Sequence, residues 1–148
     1  MAIDWISGGV SGDWATASDW VGGVVPVAGD DVDINATGTY TVTVDEAQAA
    51  KSLTIDDADV TVADNSTLTM GGALTVTAGL FQLNSGTIVG GTLSATGGAF
   101  QWNSATLSGV TYEGTLDLSE TGYIPTVIVG GAGITLTGST GRARERST

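Results

Sequence analysis

Sixteen acidic side chains against four basic ones, with no histidine and no cysteine, bound the chemistry this 148-residue chain can attempt. Without imidazole or thiol there is no Ser-His-Asp triad, no Cys-His dyad and no zinc site. Carboxylates remain. Asp30, Asp31 and Asp33 fall close together, as do Asp56, Asp57 and Asp59. Paired carboxylates can act as acid and base, or as acid and nucleophile, on a glycosidic bond. They can also hold calcium, which takes carboxylate and carbonyl oxygens, and Asp56, Asp57 and Asp59 form the weak candidate for that ion. Both groups sit among turn residues, where solvated corners are the simpler reading. The expectation is no enzyme and no cofactor beyond that calcium.

Tryptophan offers a different chemistry. Trp5, Trp14 and Trp20 are three of the four tryptophans, and all lie ahead of the first long apolar alternation. Exposed indole faces stack on sugar rings, which would make a glycan platform. Buried, the same indoles would close the end of a fold, with their N–H groups reaching polar partners. The cap is the preferred reading, because the tryptophans and their Gly-rich turns lead directly into the first strand.

The element that must carry these residues is legible from a repeat. Residues 71–89 and 90–108 agree at ten of nineteen positions without a gap, from Gly71-Gly72 over Gly90-Gly91 to Thr87 over Thr106. A fixed period near twenty means one supersecondary unit stacked on copies of itself. Within each unit, apolar and polar residues alternate in short bursts such as Leu74-Thr75-Val76 and Phe81-Gln82-Leu83. That is the period of a strand with one buried face. Gly, Asn and Ser separate the bursts, so three short strands and three tight corners make one coil of a parallel β-helix.

Upstream, Leu53-Thr54-Ile55 aligns with Leu74-Thr75-Val76, and Val60-Thr61-Val62 with Phe81-Gln82-Leu83, each at a spacing of twenty-one. The two extra residues are assigned to the Asp56–Asp59 corner. Downstream, the alternation continues through Val110-Thr111-Tyr112, Leu116-Asp117-Leu118, Val127 to Val129 and Ile134-Thr135-Leu136. The expected fold is all-β: a single right-handed parallel β-helix of about five coils of roughly 19–21 residues. Residues 1–35 are expected as a Trp-rich cap, 36–138 as the β-helix and 139–148 as a basic, disordered tail.

Stacking predicts columns inside the coil: Leu53, Leu74 and Leu93; then Val60, Phe81 and Phe100; then Val62, Leu83 and Trp102. Bulk gained along the last series is offset by the shrinking series Ile55, Val76, Ala95, as a close-packed interior of fixed width requires. Asn84 and Asn103 align at a corner, where stacked amides form a ladder. Thr-x-Thr pairs such as Thr75/Thr77 suggest an ice-binding array, but Glu113 interrupts the neighbouring column and Thr favours outward strand positions anyway.

Charge narrows the partners. Before residue 141 a single basic residue, Lys51, faces fifteen acidic ones, while Arg142, Arg144 and Arg146 occupy the tail. An acidic body repels phosphate backbones, so no nucleic-acid partner is expected. No run approaches eighteen apolar residues, so no membrane insertion by a helix is expected either. The opening Met1-Ala2-Ile3-Asp4-Trp5 has neither the basic nor the apolar region of a secretory signal peptide.

The order Trp14, Trp20, Gly22-Gly23, Pro26 and Gly29-Asp30, followed by Thr41-Val42-Thr43-Val44 and Ser52-Leu53-Thr54-Ile55, resembles the segment that opens the β-helical region of autotransporter-like and hemagglutinin-like bacterial surface or secreted proteins. The likeness covers residues 5–55; residues 71–108 match in style alone. It implies a right-handed parallel β-helix and an extracellular or cell-surface setting, and it carries over no catalytic residue. β-Helical polysaccharide lyases also resemble this fold, but they use an Arg or Lys base beside calcium, and the coil offers Lys51 alone.

The leading expectation is therefore a non-catalytic structural or adhesive module, with a carbohydrate-binding module or a truncated β-helical polysaccharide-active enzyme as alternatives. Nothing resembling the Trp segment follows Leu136, so an uncapped last coil is expected to build a homo-oligomer or filament through the C-terminal end. A surface glycan is the other possible partner.

Overall fold

The computed structural model describes residues 2–6, 10–114 and 127–137. Leu116-Asp117-Leu118 and the basic tail lie outside the described residues.

The alternation read from the sequence becomes a stack of parallel strands. The first rung holds β1 (Ala2–Asp4) and β2 (Gly12–Asp13). The second holds β3 (Asp31–Ile34), β4 (Tyr40–Val44) and β5 (Gln48–Ala50). In the next two coils the first two faces share one bent strand. These are β6 (Ser52–Asp64) followed by β7 (Thr67–Met70), then β8 (Ala73–Asn84) followed by β9 (Thr87–Val89). The fourth full coil is β10 (Thr92–Ala95), β11 (Ala99–Asn103) and β12 (Ala105–Ser108). Beyond it come β13 (Val110–Glu113), β14 (Val127–Val129) and β15 (Ile134–Thr137).

The result is an all-β solenoid of about five turns. One face stacks β1-β3-β6-β8-β10-β13-β15 and the third face stacks β5-β7-β9-β12-β14. The second face stacks β2, β4, β6, β8 and β11, joined to the first because β6 and β8 run round the corner unbroken. Among the described residues every strand pairing is parallel, and only the isolated Trp5–Trp20 bridge is antiparallel. Each coil contributes one interior layer, so the core is a continuous column from Ile3 to Tyr112.

Register fixes the interior. Leu53, Leu74 and Leu93 lie one above another, as do Ile55, Val76 and Ala95. Phe100 lies over Phe81, and Trp102 over Leu83. The second face upstream departs from the expectation. Val62, not Val60, pairs with Phe81, while Val60 pairs back to Tyr40. The columns are thus Val42–Val62–Phe81–Phe100 and Val44–Asp64–Leu83–Trp102.

The cause is a bulge. Between Ile55 and Thr61 the register of β6 on β8 shifts, so the first face is spaced by twenty-one residues and the second by nineteen. The extra length does sit at Asp56–Asp59, as an irregularity inside one strand rather than as a tight corner, and bulges of this kind bend a strand without ending it. Gly79 lies beneath it at φ +86°, where a Cβ would stand 2.6 Å from the Asp57 carbonyl oxygen and 2.7 Å from that of Val60. A side chain there would collide with two backbones at once.

Candidate functional site

The acidic corner carries no metal cage. Asp56 and Asp59 are exposed, and the Asp57 carboxylate accepts the Asp59 backbone N–H at 3.0 Å, an ordinary turn bond. Among the described residues no three acidic side chains converge on a point that could hold an ion. Asp56, Asp57 and Asp59, the calcium candidate, therefore do not form such a group in this strand.

The upstream carboxylates are divided in the same way. Asp30 Oδ2 accepts the Val27 backbone N–H at 3.0 Å and so closes the turn that precedes β3. Asp31 and Asp33 point outward from β3, with Asp33 next to Asp4 across the rung. The Ser52 hydroxyl donates to Asp31 at 2.7 Å and holds its carboxyl below the usual carboxylate range; Lys51, 3.7 Å away, adds to the effect. Asp33 is shifted the other way, chiefly by desolvation and then by repulsion from Asp4 and Asp31. These residues are a strand-borne stripe of charge on an outer face.

The tryptophans do come together, and they do so inside. Trp5, Trp14 and Trp20 are 2%, 0% and 1% exposed. Trp20 meets Trp5 edge to face at 4.8 Å between ring centroids and Trp14 at 5.0 Å, geometries that aromatic quadrupoles favour. Trp5 also stacks on Tyr40 of the next rung. The Trp20 indole donates to the Trp14 carbonyl at 2.7 Å and the Trp5 indole to that of Val10 at 3.1 Å. Segment 19–21 then runs back along β1, with Ile6 N–H bonding the Asp19 carbonyl and Val21 N–H bonding that of Asp4. No ring face of the three is open to solvent, so the glycan-platform reading loses its surface.

Along the corner after the second face, side-chain amides link successive coils. Gln82 donates to Gln101, Asn103 donates to Asn84 at 3.3 Å, and Asn84 donates to Gln82 at 3.1 Å. One coil earlier Asn65 donates to Asp45 at 3.0 Å. The serines that follow, Ser85 and Ser104, take the left-handed conformation, both at φ +57°.

One polar group escaped the sequence reading. Asp64 is fully buried in the interior column between Val44 and Leu83. Its Oδ1 accepts the Ser66 N–H at 3.1 Å, while Oδ2 has no hydrogen-bond partner. Burial raises its pKa to about 7, against the partial help of the Ser66 bond. The side chain fills the space above Gly86, where a Cβ would come within 2.8 Å of the Asp64 carboxyl carbon. The signal was present in the alternation Val60-Thr61-Val62-Ala63-Asp64, which carries inward positions two by two to Asp64. A spacing of twenty-one hid it by placing Val62 over Leu83.

At the other end of the coil the interior columns run out. Val129 stacks on Leu107 and Leu136 on Tyr112, yet they are 51% and 40% exposed. The two ends, rather than any cluster of reactive groups, are the structurally distinctive sites among the described residues. No protein-family model, curated protein or solved structure matches the chain.

Proposed function

We propose that the chain is a non-catalytic structural or adhesive β-solenoid module of a bacterial surface or extracellular protein. The carrying observation is that all the described aromatic side chains, tryptophans included, serve the interior, leaving outer faces of Thr, Ser, Gln and Asn columns in parallel register. A stack whose first rung is covered and whose last described rung leaves Val129 and Leu136 exposed suits a part that spaces, stacks or adheres. The resemblance of residues 5–55 to the opening of bacterial surface β-helices supports the setting.

The reading is tested by coating beads with the folded chain and scoring their retention on bacterial and epithelial cell layers. A polysaccharide panel is assayed in parallel for newly released reducing ends. Retention well above that of beads carrying the heat-unfolded chain, with no release, is the expected result. Saccharide release that disappears in the Asp31→Asn, Asp33→Asn double variant would replace the module with an enzyme.

A further inference from the structure

We propose that two copies of the chain join through their C-terminal ends in a closed, two-fold dimer. The inference rests on the structural-module reading and gives it a partner.

At the last described rung the core columns of the first and third faces end exposed. Leu53, Leu74, Leu93 and Tyr112 are buried in the column that ends at Leu136, and Leu68, Ile88 and Leu107 in the one that ends at Val129. Only the last member of each column is exposed, because no further coil covers it among the described residues. β15 likewise has no strand on its far side among them. An edge of this kind, beside apolar side chains, is a template for pairing. An identical layer is the partner of matching width and chemistry.

Three features select a closed pair over a filament. Head-to-tail growth needs a free first rung, but segment 19–21 is hydrogen-bonded along β1 and Trp5 and Trp20 bridge antiparallel there. Charge is distributed in the same sense. Residues 1–64 hold twelve of the sixteen acidic residues and one lysine, a net of −11. Residues 65–112 contain no Asp, Glu, Lys or Arg at all, and 113–148 net to −1. Joining C-terminal ends therefore places the two acidic halves farthest apart. The uncharged coils between them exceed the ~8 Å reach of charge at physiological ionic strength. Joining N-terminal ends would press them together. Thirdly, parallel strands related by a two-fold axis meet antiparallel, so β15 pairs with its own copy and the interface is isologous and self-terminating.

The chain has no cysteine, so a single introduced thiol reports the joint cleanly. Thr135→Cys, on the outward side of β15, is oxidised mildly at tens of micromolar, alone and mixed with an Ala2→Cys chain. Sedimentation of the unmodified chain gives the mass. The expected result is a dimer whose Thr135→Cys form cross-links to itself and leaves the Ala2→Cys chain unlinked. Leu136→Lys should weaken that dimer by at least about tenfold, the scale of placing an unpaired charge in an apolar joint. An unchanged far-ultraviolet circular dichroism spectrum would show that the fold is kept. Links between Thr135→Cys and Ala2→Cys chains, or a ladder of higher masses, would overturn the closed joint in favour of a filament. A monomer at every concentration would overturn it in favour of an end covered by the chain itself. In that case beads coated with the monomer show separately whether the module reading stands.

Discussion

Two ends of one coil solve the same problem in opposite ways. A solenoid must stop somewhere, and wherever it stops it exposes a layer of core and an edge of unpaired backbone. At the first rung the chain spends three tryptophans and a returning segment on closure, and Trp14 is completely buried. At the last described rung, Val129 and Leu136 occupy the same inward columns as their buried predecessors and stand in solvent. The lesson is that a repeat fixes the interior of a stack but not its boundaries. Boundaries are set by residues that do not repeat.

The largest effects should fall at the closed end. Trp14→Ala and Trp20→Ala each remove a fully buried indole, and Trp20→Ala also strips the Trp14 carbonyl of its 2.7 Å donor. Each should cost ~3–5 kcal/mol, the range for truncating a buried aromatic, read from urea unfolding followed by circular dichroism. A cost near that of a surface residue at either position would show that the first rung is dispensable.

Asp64 tests the packing of the acidic half. Its folded pKa of about 7 lies above its ordinary value of 3.8, so the folded state keeps a proton that the unfolded chain has released. The stability this contributes is complete below pH ~4 and is lost as pH rises through about 7, by up to ~4 kcal/mol. Asp64→Asn should flatten that slope. Unfolding midpoints across pH 4 to 8 that fall equally in both proteins would assign the loss to other groups.

How far the sequence could be read follows the same divide. Leu53, Leu74 and Leu93, and Phe81 over Phe100, were legible because identical residues recur within matching alternations, and register is pinned when one strand face is buried. Val60 and Val62 were placed two residues out because the bulge at Asp56–Asp59 changes the step between two faces of one coil. Propensity does not mark such a bulge, since each segment alternates correctly by itself. Asp64 followed from that error: shifted by two, a buried carboxylate passes for a turn residue. The acidic corners looked like metal or catalytic candidates because composition records how many carboxylates there are, while their directions come from backbone geometry. The tryptophans could be assigned to closure from their position, but their edge-to-face packing could not.

Smaller effects lie in the middle of the rod. Gln82→Ala removes the shared partner of Gln101 and Asn84 in the amide network. It should cost ~0.5–1.5 kcal/mol, the net value of an ordinary hydrogen bond. A loss as large as that of Phe81→Ala, ~3–5 kcal/mol, would mean that the glutamines and not the phenylalanines face inward. The smallest effect belongs to the open end. Leu136→Ala, measured on the dilute chain, should cost under ~1 kcal/mol, because its side chain is already partly in water. A cost like that of Trp14→Ala would place Leu136 in a sealed core.

Amide hydrogen exchange on the dilute chain, resolved residue by residue, tests the contrast between the ends most directly. Opening free energies vary along a structure and are lowest where few buried contacts hold a strand. The account predicts strong protection at Ile3, Trp5 and Val32 and at the Trp20 indole, matching that of β8, with protection falling steeply through β13 to the fastest exchange in β14 and β15. Equal protection at both ends, or a first rung that exchanges as fast as β15, would contradict it.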